Sequence, residues 1–384
     1  MNERSVLEFI RERGPVSRAQ LARDSGLSKP TVSQALSALE SSKLVREAGR
    51  TSGGKGPTAV LYELDPGAGW VVGLDVGTDR VRGALADLTG RVVAHSDEPA
   101  RAGNASTLIH QIGTVARDLA EGAGVRWKKV TYVVMGSPGV VEPATGHVAL
   151  AHNLPGWGRH GSVDAVREEL GTPVTLENDV NLAALGELSH GLGKGVANFV
   201  YLHVGTGVGM GLVLNAELFR GATGVAGEVG YMPLATEDLH DPANRTRGSL
   251  EQALGAAGVV AAARAAGMAP SVTPRAVFAS ARKGDERALA VVEVVARRLA
   301  LAIAAIVPVV DPELVILGGG IGRNGDLLLV PVEQELRALS PFRPRIEISA
   351  LGEDAELQGA VSMALEAAQD RLFARADAKG SISV

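Results

Sequence analysis

The chain has 384 residues, a formal net charge of −5 and no cysteine, which excludes disulfide bonds and metal sites built on cysteine ligands. Hydrophobic residues make up 46% of the sequence, enough for more than one buried core, and 48 glycines predict many tight turns. Because the N-terminus is charged and the longest apolar run, Leu299–Val310, is too short for a bilayer, we expect a cytoplasmic protein without a membrane segment.

The head of the chain, residues 1–60, is basic. It carries ten Lys and Arg against six Asp and Glu, a net charge of +4, which leaves −9 for the remainder. A basic head on an acidic body favours one module for a polyanion and another for a different ligand, although a charge of +4 also arises by chance. Helical periodicity at Val6, Phe9 and Ile10 predicts a first helix.

Two further short helices are predicted in the head, joined by a tight turn. Ser17 and Gln20 have the spacing of a capping box at the start of the first of them, and Gly26 ends that helix. Ser28 caps the next helix, which tolerates Pro30 in its first turn. This is the helix-turn-helix arrangement and predicts DNA binding, with a purely structural three-helix module as the alternative.

The second helix of this pair would present polar, small or basic side chains to a major groove, while Val32, Leu36 and Leu39 face the core. A β-hairpin with strands near Leu44–Glu47 and Thr58–Glu63 follows, and its basic loop suits a wing lying along the DNA. The predicted DNA-binding residues are Ser28, Lys29, Thr31, Ser33, Gln34, Ser37, Arg50 and Lys55.

Three glycine-rich turns in the body each follow an apolar strand. Residues 74–87, LDVGTDRVRGALAD, predict a strand, a tight turn and a second strand. The plan repeats at Phe199–Val204 with the turn Gly205–Gly207, and a third cluster, Leu314–Gly322, follows the helical stretch Asp285–Val307. Such turns can cradle nucleotide phosphates, and the repeat predicts two similar α/β lobes with a cleft between them.

Polar clusters lie between these turns. The stretch VTLENDVNLAALGE delivers Glu177, Asn178 and Asp179 from a strand to the start of a helix, a position that presents polar groups to a cleft. The stretch GATGVAGEVGYMP carries Glu228, and RGSLEQALG carries Glu251. Turn and cap roles are the alternative interpretation of these side chains.

The motifs NLPGW, ENDVNLAALGE, GTGVGMG, AGEVG, SLE and GGGIG, in this order, resemble those of the ROK family of repressors and sugar kinases. The resemblance covers nearly the whole chain and implies an α/β protein. It would have an N-terminal winged helix-turn-helix and an actin-like (ribonuclease H-like, ASKHA) two-lobe sugar-kinase body. The implied domains are the head at 1–62, a first lobe at 63–184 rejoined by a C-terminal helix at 355–374, a second lobe at 185–354 and a flexible tail at 375–384.

The same resemblance implies the ligand contacts. In family kinases an Asn-Asp pair binds sugar hydroxyls and the Asp takes the proton from the attacking hydroxyl, so Asp179 occupies the position of that base. Tyr231 stands where the family has a zinc-binding histidine, and its hydroxyl would bond the sugar or support Glu228. The implied sugar-binding residues are Asn153, Asn178, Asp179, Glu228, Tyr231 and Glu251.

Two departures from the family pattern bear on activity. The family's zinc site also uses three cysteines, which this chain lacks, so we expect no zinc; a metal held by Asp238, His240 and Asp241 is a weaker alternative to a solvated loop. The first phosphate turn, D-x-G-G-T-K in the family, here has Thr78 and Asp79. A carboxylate beside a phosphate costs on the order of a few kcal/mol, so we expect neither bound ATP nor catalysis.

The sequence thus predicts a sugar-responsive transcriptional regulator, a repressor of carbohydrate-utilisation genes, with a monosaccharide or derivative in the interlobe cleft. Each head would bind half of a palindromic double-stranded operator, which requires a homodimer or homotetramer. An ATP-dependent sugar kinase with a regulatory head is the alternative, supported by Asp179 and the intact second turn, Gly205–Gly211. DNA binding without any effector is the third interpretation.

Overall fold

The computed structural model describes residues 2–51, 58–101, 103–142, 144–145, 148–150, 154, 157, 161–235, 238 and 240–380. The chain forms two compact units. Unit 1 comprises Met1–Met135, Gly161–Thr175 and Val361–Val384, and unit 2 comprises Gly136–His160 and Leu176–Ala360. The predicted head shares unit 1 with most of the predicted first lobe, so the division into three domains stays a prediction.

The head is a three-helix fold with a small sheet. Its elements are α1 (Asn2–Arg13), β1 (Val16–Ser17), α2 (Arg18–Ser25), α3 (Lys29–Ser41), β2 (Val45–Arg50) and β3 (Val60–Leu64). The sheet has the order β1-β3-β2, with both pairings antiparallel. The predicted capping box at the start of α2 and the Ser28 cap of α3 are confirmed. The head core includes Val6, Ile10, Leu21, Val32, Leu36, Leu39 and Tyr62.

The remaining elements form runs of strands followed by one or more helices. Up to the second lobe of the chain they are β4 (Trp70–Val76), β5 (Arg80–Asp87), β6 (Val92–Pro99), α4 (Ala105–Gly122), β7 (Val130–Ser137), β8 (Val140–Val141), β9 (Val148–Ala149), α5 (Ser162–Leu170), β10 (Val174–Asn178) and α6 (Asp179–His190). There follow β11 (Phe199–Val204), β12 (Val208–Leu214), β13 (Glu217–Leu218), α7 (Pro242–Arg247), α8 (Ser249–Leu254), α9 (Ala256–Ala265), α10 (Pro274–Ala281), α11 (Glu286–Val310), β14 (Leu314–Gly318), α12 (Gly319–Gly322), α13 (Gly325–Leu339), β15 (Arg345–Ile348) and α14 (Ala355–Gly380).

The predicted duplication is visible in two five-stranded sheets. The first has the order β10-β7-β4-β5-β6, and the second, read in the same direction, has the order β15-β14-β11-β12-β13. Each glycine-rich hairpin, β4–β5 and β11–β12, is antiparallel, and each lies between two further strands on one side and one on the other. The second sheet has an apolar core on one face, packed by α8, α9, α10, α11 and α13.

Helix α14 contacts the head within unit 1. Arg4 of α1 pairs with Asp370 at 3.0 Å, and Arg11 donates to the Gln369 side chain at 3.3 Å. Leu372 packs against the head core. The helix continues through Gly380, so residues 375–380, expected as a flexible tail, are helical. The run ARADAK explains this, because alanine, arginine and lysine are good helix formers.

Two glycines let helices α6 and α14 cross at backbone distance in unit 2. A Cβ on Gly186 would overlap the carbonyl oxygen of Ala355, and a Cβ on Gly359 would overlap the carbonyl oxygen of Leu182. Neither carbonyl can move without breaking its own helix. The crossing therefore fixes the position of α6. Within the described part of the chain, no helix is long and apolar enough to cross a membrane.

We predict that Gly359→Ala lowers the free energy of unfolding by about 1–3 kcal/mol, because the added methyl group overpacks this crossing. The matched control is Gly122→Ala, at the end of α4, where no atom lies within 4 Å of an added Cβ. That change should raise stability by up to about 1 kcal/mol through helix propensity. Urea unfolding measures both, and equal effects would contradict the role of the crossing.

Candidate functional site

Helix α3 presents the predicted DNA-contacting face. The Ser28 hydroxyl accepts the Thr31 backbone N–H at 3.3 Å and lies 2.7 Å from the Thr31 hydroxyl, so these two side chains stabilise the start of the helix. Exposed side chains remain for contact with a groove further along the helix. Of the predicted set, Ser28, Lys29, Gln34 and Ser37 are exposed, and Thr31 and Ser33 are partly buried.

The predicted wing is a hairpin whose base is well defined. The strands are β2 and β3, shifted a few residues from the predicted ranges, and Arg50 ends β2 with an exposed side chain. Thr51 donates its backbone N–H to the Ala59 carbonyl at 2.9 Å, which closes the base of the hairpin. Lys55 lies outside the described residues.

Strand β10 delivers Asn178 and Asp179 to the start of α6, as the sequence predicted. The Asn178 side-chain oxygen accepts the Asn181 backbone N–H at 3.0 Å, and its nitrogen donates to the Gly139 carbonyl at 3.0 Å. Asn178 is thus a helix cap, and each of its amide atoms uses one of two possible hydrogen bonds for this. Asp179 accepts the Val180 N–H at 2.8 Å in the first turn, where the helix dipole stabilises a negative charge.

An ion pair with a buried carboxylate supports this junction. Glu177 is 3% exposed, and its carboxylate accepts the Asn178 backbone N–H at 2.9 Å and the Asn181 side-chain N–H at 3.0 Å. Its other oxygen lies 2.6 Å from Nε of Arg220. Arg220 was not among the predicted site residues. The only signal was Glu177 itself, because a carboxylate at the end of a buried strand needs a partner, and nothing in the sequence pointed to Arg220.

Both polar clusters of unit 2 lie against the same strand, β12. Gly211 brings this strand close to α6, because a Cβ there would lie 2.8 Å from the Val180 carbonyl oxygen. The segment that carries Glu228 also packs closely on β12. Gly227 has φ +99°, and a Cβ at this position would overlap the carbonyl oxygen of Met210. Met210 in turn donates its N–H to the Gly227 carbonyl at 2.9 Å. Glu228, the next residue, is thereby fixed relative to the strand.

Two carboxylates are electrostatically coupled here. Burial raises the pKa of Glu228, and the negative charge of Glu251 raises it further. Glu251 accepts the backbone N–H of Val208, the first residue of β12, at 3.1 Å. Burial and the same two carboxylates raise the pKa of Tyr231. The predicted residues Glu228, Tyr231 and Glu251 therefore form one cluster.

Tyr231 joins this cluster to the next helix. Its hydroxyl donates to the carbonyl oxygen of Thr246, in α7, at 3.2 Å. In the preceding loop, His240 donates its backbone N–H to the Asp238 carboxylate at 2.9 Å. Among the described residues, no group of three or more His, Cys, Asp or Glu side chains is arranged to hold a metal ion. Asn153, the remaining predicted sugar residue, lies outside the described residues.

The first glycine-rich turn, in unit 1, forms its bonds within its own hairpin. Gly77 donates its N–H to the Arg80 carbonyl at 2.9 Å, and Asp79 is exposed. Asp75 pairs with Arg82 across the hairpin at 2.6 Å. Burial raises the pKa of Asp75, and the guanidinium of Arg82 opposes that rise. No motif in the sequence predicted this pair.

The second and third glycine-rich turns meet around a histidine. Gly205 donates to the Gly207 carbonyl at 2.9 Å and accepts the Ala256 N–H at 3.0 Å. A Cβ on Gly319 would lie 2.9 Å from Nε2 of His203, so the imidazole packs against this glycine. Burial and the neighbouring Arg323 lower the pKa of His203 to about 4, and its ring is neutral at pH 7.

Comparison with known proteins adds relatives of two kinds. A glucokinase of Halalkalibacterium halodurans is 32% identical over 76% of this chain and 93% of its own length. A xylose repressor of Caldicellulosiruptor bescii is 27% identical over 95% of both chains, and so includes the head. A crystal structure of a ROK family transcriptional regulator, a homologue of the E. coli MLC protein, has a TM-score of 0.80 over 98% of both chains at 22% identity. That last likeness establishes the fold.

Family models cover both parts of the molecule. Residues 2–46 match a winged helix-turn-helix DNA-binding model, and residues 71–367 match the ROK family model. The predicted fold class is confirmed. The chain therefore belongs to the ROK family and carries that family's kinase-like body behind an N-terminal winged helix-turn-helix domain.

Proposed function

We propose that this protein is a sugar-responsive repressor of carbohydrate-utilisation genes, with a monosaccharide or a derivative as its effector. The observation that carries the proposal is the cluster on β12, where Glu228, Tyr231 and Glu251 lie in the same unit as Asn178 and Asp179. Carboxylate and amide groups suit a sugar because each accepts from, or bridges, neighbouring hydroxyls. The similarity to a xylose repressor over head and body together supports it.

The head would bind the DNA. Helix α3 would enter the major groove with Lys29, Gln34 and Ser37 towards the bases and phosphates, and Arg50 would reach the backbone from the wing. An operator with two half-sites calls for two heads, so we propose a homodimer or homotetramer. The effector must bind two states of the protein with different affinity, because equal binding shifts no equilibrium. We place this regulation in the cytoplasm, where the operator is.

The similarity to glucokinases makes sugar phosphorylation the second candidate function. Against it, the exposed Asp79 lies in the first turn, and Gly77 already donates within the hairpin. In the second turn, the N–H groups of Gly205 and Val208 bond to Gly207 and Glu251. We therefore propose that neither ATP nor zinc is a cofactor and that Asp179 occupies a catalytic position without performing catalysis.

The first experiment is fluorescence anisotropy on a labelled duplex from upstream of the protein's own coding region. At fixed salt, monosaccharides, their phosphates and ATP are titrated in turn. We expect one sugar to release the DNA or to tighten its binding without ATP. Tight DNA binding that no sugar alters would contradict the effector assignment and leave the head's function intact.

Glu228→Gln should abolish the sugar response and leave DNA affinity unchanged. The same change should raise the melting temperature at neutral pH, because the raised pKa of Glu228 means that its ionised form destabilises the fold. The protonated carboxyl of Glu228 favours the folded state. This stabilisation is complete below the pKa of the unfolded chain and is lost as pH rises through the higher pKa of the folded protein. Thermal melts from pH 4 to 8 measure it. The control is Glu217→Gln, at an exposed position of β13.

Gln34→Ala should weaken specific DNA binding by about 1–3 kcal/mol if Gln34 reads a base edge. Lys29→Ala is the contrasting variant, expected to weaken binding to all sequences and to lower the slope of log K against log salt by about 1. Anisotropy on operator and scrambled duplexes separates the two. A uniform loss from Gln34→Ala would assign it to a phosphate.

With ATP and a panel of hexoses, a coupled ADP-release assay should show no turnover above background. The same preparations, analysed for bound metal after extensive dialysis, should contain no stoichiometric zinc. Sustained turnover that Asp179→Asn abolishes would establish the kinase function in place of a sensor without catalysis.

A further inference from the structure

The ion pair of Glu177 and Arg220 connects two segments that carry the candidate sugar residues. Glu177 directly precedes Asn178 at the junction of β10 and α6, and Arg220 precedes the loop that leads to Glu228. We propose that this pair is the positioning element that holds the junction and the loop at the spacing a sugar requires, an inference that rests on the proposed function. Neither residue contacts the sugar in this proposal; both act through their neighbours.

The loop is anchored at both ends. At its start, the Arg220 carbonyl accepts the Ala226 N–H at 3.4 Å, which closes residues 221–225 into a turn. At its end, Gly227 is bonded to Met210 of β12 at 2.9 Å. Val225, between these points, is 53% exposed. The guanidinium of Arg220 therefore links the start of this loop to the α6 junction.

The carboxylate of Glu177 contacts both segments, so a displacement of the loop at Arg220 also displaces the residues at the start of α6. One oxygen accepts from the Asn178 backbone and the Asn181 side chain, and the other pairs with Arg220 at 2.6 Å. Because the carboxylate is planar and buried, a shift of the Arg220 guanidinium displaces it and changes its hydrogen bonds to Asn178 and Asn181. Charge-assisted hydrogen bonds of this length are among the strongest in proteins.

Single substitutions test this role poorly, because Arg220→Met leaves the buried Glu177 carboxylate without its cation and destabilises the fold, while Glu177→Gln leaves the partly exposed Arg220 free to pair with water. The informative variant is the double change Glu177→Gln with Arg220→Met. The glutamine oxygen still accepts the Asn178 N–H, and no charge is left buried, so only the link to the loop is removed. We expect a melting temperature close to that of the parent, unchanged DNA affinity and sugar affinity weaker by roughly tenfold or more.

The control is Arg282→Met with Asp326→Asn, which removes an ion pair of 2.7 Å between the residue that follows α10 and the first turn of α13 in the same unit. It should leave sugar affinity unchanged. A Glu177→Gln/Arg220→Met protein that keeps its melting temperature and binds sugar like the parent would overturn the proposal and make the pair purely structural.

A second measurement does not need a sugar. Hydrogen exchange in the sugar-free protein should accelerate about tenfold at the amides of Ala226 and Glu228 in the double variant, while amides of α10 stay protected. Unchanged exchange at these loop amides would also overturn the positioning role. If the parent binds no sugar at all, the proposed function fails, and faster loop exchange would still establish the ion pair as the element that orders the loop.

Discussion

Close contact between backbones, made possible by missing Cβ atoms, is the constraint on which the candidate sugar site depends. Gly211 admits α6 onto β12, Gly227 admits the Glu228 loop onto the same strand, and Gly359 admits α14 onto α6. Interiors are close-packed, so contacts of this kind leave little freedom. The segments that carry the polar side chains are consequently held by main-chain contacts to one strand, β12. A site whose residues lie in loops and at a helix start is therefore supported by a rigid sheet.

The electrostatics of the two parts differ in kind. In the head, Lys29 and Gln34 of α3 are exposed. Exposed groups suit DNA as a partner, because the phosphate charges of the duplex supply most of the attraction. On β12, burial and mutual repulsion raise the pKa of Glu228, so water and the protein stabilise its negative charge poorly. Hydroxyl donors from a ligand would supply that stabilisation. A neutral sugar fits such a cluster better than a phosphate does.

Local signals in the sequence predicted local structure well. The capping box of Ser17 and Gln20, the Ser28 cap and the strand Phe199–Val204 were all correct, because each depends on hydrogen bonds or polarity patterns within a few residues. Contacts distant in sequence were missed. Arg220 finds Glu177 across the fold, and Arg4 finds Asp370 near the other end of the chain. No periodicity or turn motif encodes such a pairing, whereas family resemblance supplied the cluster of Glu228 and Glu251.

Under the proposed function, the first glycine-rich turn is a phosphate site that has been lost without loss of the fold. Its charges bond to one another, Asp75 to Arg82 and Arg80 to Asp97, so the hairpin holds together without an anion. A phosphate would have to approach the exposed Asp79 without gaining the N–H of Gly77, which is already bonded. In unit 2, by contrast, the carboxylates of Glu228 and Glu251 form a cluster against β12. Under the proposed function, selection for sensing keeps the sugar contacts and no longer keeps the phosphate contacts, because only the first must distinguish two states of a repressor.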